Sequence, residues 1–285
     1  MTHQNKLTVV ENLERYITQK GSQNKVAAEM KSVSAATLSQ MRNHNWENIA
    51  PEMWRKVGAF LGVGTNEWKF AETGNSKLLL NLFSEAQNFA LVLAITGNAG
   101  SGKTETAKKY ESENQNVFRL SCNEYWDKKW FLRELLSKMG KETDGMTMPE
   151  MMQKAVITLK SASNPLIILD EADKLADAVL LFFITLYNEL EGHCGIIVMA
   201  TQYLEKRIRR GIAQQKKGYR EIYSRVGLRF IELDQTTYAD VKAVCQVNGL
   251  TDEQAIRGIS KDCDSDIRRV KRLVFANKRA TDNAA

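Results

Sequence analysis

Hydrophobic positions change their rhythm twice along this chain. Over residues 10 to 61, apolar side chains recur at mixed three- and four-residue spacing. Val26, Ala27, Met30, Val33, Leu38 and Met41 mark it, around a break at Lys31-Ser32. That rhythm predicts short helices, one over Gln23–Met30 and a second capped by Ser34 and running through Arg42. Gly62, Gly64, Thr65 and Asn66, and then Thr73-Gly74-Asn75, read as a linker. Beyond it, apolar runs rich in branched residues recur at Phe89–Thr96, Val117–Ser121, Leu166–Asp170, Gly195–Thr201 and Leu228–Leu233, with helical segments between them. Alternating strands and helices predict a parallel, three-layer α/β sheet. From Tyr238 onward the pattern is helical again, with Val241, Val244, Ile256, Ile259, Ile267, Val270 and Val274 as its buried set. The expected division is a helical domain over 1–62, a linker over 63–76, an α/β core over 77–234 and a small helical domain over 235–285.

Composition changes this picture little. The chain has 285 residues, 43% hydrophobic and 26% charged, with three prolines, as expected of a globular, helix-rich protein. The first residues lack the apolar stretch of a signal peptide, and the longest apolar runs are too short to span a bilayer. Cys122, Cys194, Cys245 and Cys263 stand far apart without CxxC pairing, which argues against a disulfide framework or zinc and for a reducing, cytoplasmic setting. Charge is more informative. The segment from Glu205 to Arg220 holds Lys206, Arg207, Arg209, Arg210, Lys216, Lys217 and Arg220 against one acid, so it carries a net +6, equal to that of the whole chain. Arg268, Arg269, Lys271, Arg272, Lys278 and Arg279 form a second cluster. Such clusters attract phosphate backbones, although a solvated surface gives the same pattern.

The sharpest chemical signal is Gly97-Asn98-Ala99-Gly100-Ser101-Gly102-Lys103-Thr104, a GxxxxGK[ST] string between a predicted strand and a predicted helix. Glycines let the backbone turn its N–H groups onto phosphates beside a helix N-terminus. Lys103 is then expected on the β- and γ-phosphates of ATP, and the Thr104 hydroxyl on Mg2+. The second signal is Leu166-Ile167-Ile168-Leu169-Asp170-Glu171, an apolar strand ending in two acids. Asp170 is expected to hold Mg2+ through water, and Glu171 to polarise the attacking water as a general base. The Asp-Glu-Ala-Asp string does not by itself imply a helicase, because the other helicase motifs are missing. A polar residue ending the strand Gly195–Thr201, either Thr201 or Gln202, is placed to contact the γ-phosphate or the water.

The order of these motifs, continued by Tyr223-Ser224-Arg225 and Asp264-Ser265-Asp266-Ile267-Arg268-Arg269, resembles the AAA+ P-loop ATPases. More narrowly it resembles the target-DNA-binding ATPases of phage Mu-type transposition and their transposon relatives. Phe70-Ala71-Glu72-Thr73, GNAGSGKTETAKKY, LIILDEADKLADAVL and Ala239–Val244 carry that likeness. It covers most of the chain, and is patchy in the N-terminal domain and around Gly211–Gly218. The resemblance implies an AAA+ core, an N-terminal helix-turn-helix domain and a C-terminal helical lid. It implies Arg225 as an arginine finger acting on a neighbouring subunit's nucleotide, and Arg268 as the lid arginine facing the γ-phosphate. It further implies an ATP-dependent, helical homo-oligomer wound on duplex DNA and delivering it to a transposase.

Family members bind DNA with residues after the second strand, which makes Lys128, Lys129 and Arg133 the expected phosphate ligands. Trp126 and Trp130 are expected as core or subunit contacts. In the helix-turn-helix reading the second helix would enter the major groove, with Gln40 and Arg42 near the bases; the turn lacks the usual glycine and is one residue longer than the common form. The Lys206–Arg220 segment could serve DNA, transposase or an adjacent subunit. Two other classes fit parts of the pattern: a replicative helicase loader, and a transcription regulator switched by nucleotide.

Overall fold

A computed structural model describes residues 3–30, 33–61, 63 and 68–284. They fall into two compact units, residues 1–69 and 70–285. The Lys31-Ser32 break and the linker positions Gly62, Gly64, Thr65 and Asn66 lie outside the described residues.

Among the described residues the first unit holds four helices, α1 (His3–Lys20), α2 (Gln23–Met30), α3 (Ala35–Arg42) and α4 (Pro51–Phe60). Val9, Leu13, Val26, Leu38, Met41, Trp54 and Val57 close its core. Ser34 caps α3 as its position suggests, its hydroxyl accepting from the Thr37 N–H at 3.1 Å. One polar cluster ties three helices together. Arg42 meets both carboxylate oxygens of Glu14, Nε to Oε1 at 2.7 Å and Nη2 to Oε2 at 3.0 Å, while Nη1 donates to Gln23 Oε1 at 2.7 Å.

The second unit opens with α5 (Gly74–Phe89) and continues through β1 (Val92–Thr96), α6 (Lys103–Glu113), β2 (Val117–Ser121), α7 (Lys128–Lys138), α8 (Met148–Lys160), β3 (Leu166–Asp170) and α9 (Asp177–Leu190). It then runs through β4 (Gly195–Ala200), α10 (Gln202–Ala213), α11 (Tyr219–Arg225), β5 (Phe230–Glu232), α12 (Tyr238–Val247), α13 (Glu253–Asp262) and α14 (Ile267–Ala284). The five strands are parallel in the order β2-β3-β4-β1-β5. The central strands β3 and β4 are buried along their whole length, which is why both read as unbroken apolar runs rather than alternating ones. Leu79, Phe83 and Ala86 of α5 and Ala107 and Tyr110 of α6 cover one face. Helices α7 to α11 cover the other. Gly195 sits where α5 comes closest to the sheet: any side chain there would collide with the Ala86 carbonyl.

The three-layer parallel core matches the sequence expectation, and four local boundaries differ. Thr73-Gly74-Asn75 is no linker, because Thr73 and Ser76 form a capping box that starts α5. Phe89 ends α5 instead of opening β1, since Ala90 turns left-handed at φ +50°. Thr201 leaves β4 to cap α10. The last strand is only three residues, because Gly227 and Leu228 both take positive φ and turn the chain before Phe230. In α12 to α14, Val241, Val244, Ile256, Ile259, Val270 and Val274 are buried, while Ile267 is only half-buried. No described helix is long and apolar enough to cross a membrane.

Candidate nucleotide-binding site

Parallel strands end together, and here the ends of β1, β3 and β4 gather the expected motifs. Thr96 pairs with Ala200, and the Gly97 N–H bonds the Ala200 carbonyl at 3.2 Å, so the loop springs from the sheet's centre. Gly100 and Gly102 hold φ of +78° and +88°, backbone that side-chain-bearing residues rarely adopt. Gly102 leads directly into α6. Lys103 folds back over the loop and donates to Gly97 O at 2.7 Å, Asn98 O at 3.0 Å and Ser101 Oγ at 3.1 Å. Its ammonium thus stands over the concavity that N–H groups and a helix N-terminus make suitable for phosphates. Burial lowers its pKa below the ordinary lysine value, against the pull of Asp170 and Asp173.

Asp170 ends β3 and is almost wholly buried. Its Oδ1 has no hydrogen-bond partner. The Thr104 hydroxyl lies near enough to favour the charged carboxylate, and Oδ2 lies 3.4 Å from Arg119 Nη1. Burial raises the Asp170 pKa, with Thr104 and Arg119 opposing the rise. Leaving a buried carboxylate oxygen unpaired costs on the order of 1–3 kcal/mol or more, so the pair Asp170 and Thr104 fits a hard divalent cation such as Mg2+, which takes oxygen ligands. Sequence reading missed Arg119, which also bonds Glu111 and Ser121. A charge inside a short strand next to the acidic one was the available signal.

Glu171 follows at φ +57°, an uncommon backbone for a non-glycine residue and one that recurs at functional sites. Its carboxylate pairs with Lys174 at 2.8 Å. Thr201 donates to Asp173 Oδ2 at 2.7 Å, and Gln202 bonds Glu232. Both therefore stand at the strand ends beside the P-loop. The start of α14 also comes here. The Ile267 N–H bonds the Gly100 carbonyl at 3.1 Å, and a side chain on Gly100 would overlap Asp266. Arg268 lies close enough to lower the Lys103 pKa. The structure thus gathers Gly97–Thr104, Asp170, Glu171, Thr201, Gln202 and Arg268 at one end of the sheet.

Arg225 is elsewhere. It ends α11, stacks its guanidinium 5.1 Å from the Tyr187 ring and bonds Asn188 Oδ1 at 3.2 and 3.3 Å. It lines a cavity with Leu91 and Val92, at the start of β1, so the length of that strand, about 13 Å, separates it from its own P-loop. Lys128, Lys129 and Arg133 are exposed on α7. Lys128 lies over Phe182 at 6.0 Å and Arg133 over Trp130 at 5.8 Å. Trp126 is buried, whereas Trp130 is 40% exposed and meets Tyr125 edge-on. In the first unit Gln40 is exposed, while Arg42 is held by Glu14 and Gln23.

Residues 87–208 match the family described as an AAA domain. Over 200 residues the chain is 26% identical to the ATP-dependent target DNA activator B of Escherichia phage D108, and equally to that of Escherichia phage Mu. These alignments cover 68% of this chain and 61% of each relative, so the chain spans less than two thirds of the length of the curated relatives it matches. The resemblance to the Mu B-type AAA+ ATPases, first visible in a few short strings, therefore extends over most of the chain.

Proposed function

We propose that this protein is an ATP-dependent activator of target DNA in transposition, which binds and hydrolyses ATP, assembles with copies of itself on duplex DNA and presents that DNA to a transposase. The observation that carries the reading is the buried Asp170 with an unpaired oxygen, set beside Thr104 and Lys103 in a chain similar to ATP-dependent target DNA activators. In this reading the backbone of Gly97–Gly102 and Lys103 hold the phosphates, Arg268 faces the terminal one, and Glu171 orients the attacking water with Thr201 or Gln202. Magnesium held by Thr104 and Asp170 would neutralise charge on the phosphate oxygens. The first unit is read as a helix-turn-helix auxiliary domain, and α12 to α14 as a lid.

Arg225 faces away from its own nucleotide, which supports a role on the neighbouring subunit's. Mixing Arg225→Ala with Lys103→Ala subunits should then restore part of the ATP turnover that each lacks alone. Turnover by a monomer, unaffected by Arg225→Ala, removes the finger.

DNA contact falls to Lys128, Lys129 and Arg133. Fluorescence anisotropy of labelled duplexes across a salt series, with ATP, ADP or no nucleotide, tests it. Lys128→Ala combined with Lys129→Ala should weaken binding to all sequences alike and flatten the salt slope by about two units per subunit. Nucleotide affinity should stay near wild type. Binding that ignores nucleotide and selects one palindromic site would instead favour a transcription regulator.

A further inference from the structure

The basic segment after β4 does not lie flat. Lys206, Arg207, Arg210 and Lys216 line a surface cavity of about 310 Å³ between α10 and α11, together with Asp177, Tyr203 and Tyr219. Asp177, the one carboxylate among the described residues that line it, is already engaged by Arg207. Lys206, Arg210 and Lys216 are exposed, and among the described residues none of them has a carboxylate within ion-pairing distance. The cavity's shape depends on Gly211, where a side chain would collide with the Tyr219 ring. Tyr203 stands 60% exposed at its edge.

We propose that this cavity is a docking site for an acidic segment of a partner protein, whose carboxylates seat on Lys206, Arg210 and Lys216. Lys206 and Arg210 are four residues apart on α10, so they lie on one helix face and present two cations to one ligand. The volume suits one or two side chains, being at the small end of the range for ligand pockets, about 300–1,000 Å³. A duplex is a convex rod whose major groove is about 12 Å wide, too broad to seat in a cavity that takes one or two side chains. Tyrosine and arginine together are also the residues that protein interfaces favour.

The floor of the cavity reaches the nucleotide site. Arg207 Nη1 donates to the carbonyls of Leu175 at 2.8 Å and Asp173 at 3.3 Å, within the loop that follows Glu171. Asp173 in turn accepts from Thr201. An occupant that draws on Arg207 therefore acts on the loop that carries the proposed general base. This coupling rests on the hydrolysis reading above; the binding itself does not.

The test uses the full chain and a fluorescein-labelled glutamate-rich decapeptide, with a glutamine-rich decapeptide as control. The acidic peptide should bind wild type, and Lys206→Gln with Arg210→Gln should weaken it at least about tenfold, two charge contacts being lost. Lys141→Gln with Lys160→Gln, which removes equal charge elsewhere, should change it less than about twofold. Duplex affinity should not follow the first variant. No peptide binding to wild type, equal losses in both variants, or loss of duplex binding alongside peptide binding overturns the proposal. Saturating peptide should change wild-type ATP turnover at least about twofold and leave that of the Lys206→Gln, Arg210→Gln variant unmoved. Unchanged wild-type turnover despite binding overturns the coupling, whereas a chain without basal turnover counts against the hydrolysis reading and leaves the anisotropy result readable.

Discussion

The P-loop end of the sheet and the polar cluster of the first unit treat charged groups in opposite ways. At the sheet, Asp170 is buried with an oxygen unpaired, Thr96 Oγ1 is likewise without a partner, and Lys103 spends its protons on its own loop. In the first unit, Arg42 makes three hydrogen bonds to two partners, Glu14 and Gln23. Native proteins pair nearly all buried polar atoms, so an exception needs a cause. A site that awaits a ligand keeps donors and acceptors open, at a cost to the empty fold. A cluster that only holds helices together closes on itself. Lys103, bonded within its own loop, and Arg42, bonded to Glu14 and Gln23, thus differ in their surroundings: only the first stands beside an unpaired buried oxygen, that of Asp170.

The sharpest way to break this comparison is Lys103→Ala. If Lys103 is held for phosphate, nucleotide affinity should fall at least about a hundredfold, the loss expected when charge-assisted contacts to phosphate are removed. Glu171→Gln should retain affinity while stopping turnover, since it leaves the phosphate cradle intact. Titration with a fluorescent ATP analogue, run beside a phosphate-release assay, reads both. Equal affinity in wild type and Lys103→Ala would remove the assignment.

How much of this was legible beforehand follows the range of the interactions. The P-loop and the acidic strand are local strings, and the predicted limits of Val117–Ser121 and Leu166–Asp170 agree with β2 and β3 because each run ends in a polar residue, Ser121 or Asp170. Ser34 was readable as a cap because its bond spans three residues. The remainder depends on partners remote in sequence. Arg119 reaches Asp170 only through strand pairing. Gly100 must be glycine partly because Asp266 rests on it. Arg42 lies in a polar run that looks available, and only the packing of α1 against α3 brings Glu14 to it. The hollow between α10 and α11 was visible in sequence as charge without shape.

A gentler probe is pH. Burial raises the Asp170 pKa, so on acidification Asp170 takes up a proton earlier than an ordinary aspartate, near pH 3.9, would. Protonation removes a cation ligand, so the Mg2+-dependent part of nucleotide affinity should weaken while pH is still above that ordinary range. In the absence of metal the sign for stability is opposite: a raised acid favours the folded state as pH falls through its folded value, because the penalty of a buried charge is relieved. Lys103 is lowered by burial, so affinity should also decline on the alkaline side before the ordinary lysine range is reached. Isothermal titration across pH, with Mg2+ and with EDTA, checks both limbs. An acid limb that EDTA leaves unchanged would assign the titration to another group.

The smallest expected effect belongs to Arg42. Its side chain is one-third exposed and that of Glu14 is 44% exposed, so solvent screens the pair and its worth stays modest. The bidentate geometry and the added bond to Gln23 place it toward the upper end of exposed pairs, about 1 kcal/mol. Arg42→Ala should therefore lower the melting temperature of the first unit by a few degrees, about 4–8 °C per kcal/mol for a unit of this size. Nucleotide affinity and turnover should not respond, because every bond that Arg42 makes is to the first unit's own helices. Glu14→Gln should reproduce most of the loss, which separates a structural pair from a base-reading arginine: removing Glu14 would free a reader and strengthen DNA binding. Calorimetry of the three chains, beside duplex anisotropy at fixed salt, distinguishes the two. Weaker duplex binding by Arg42→Ala at unchanged melting temperature would return Arg42 to the recognition helix and erase the contrast with Lys103.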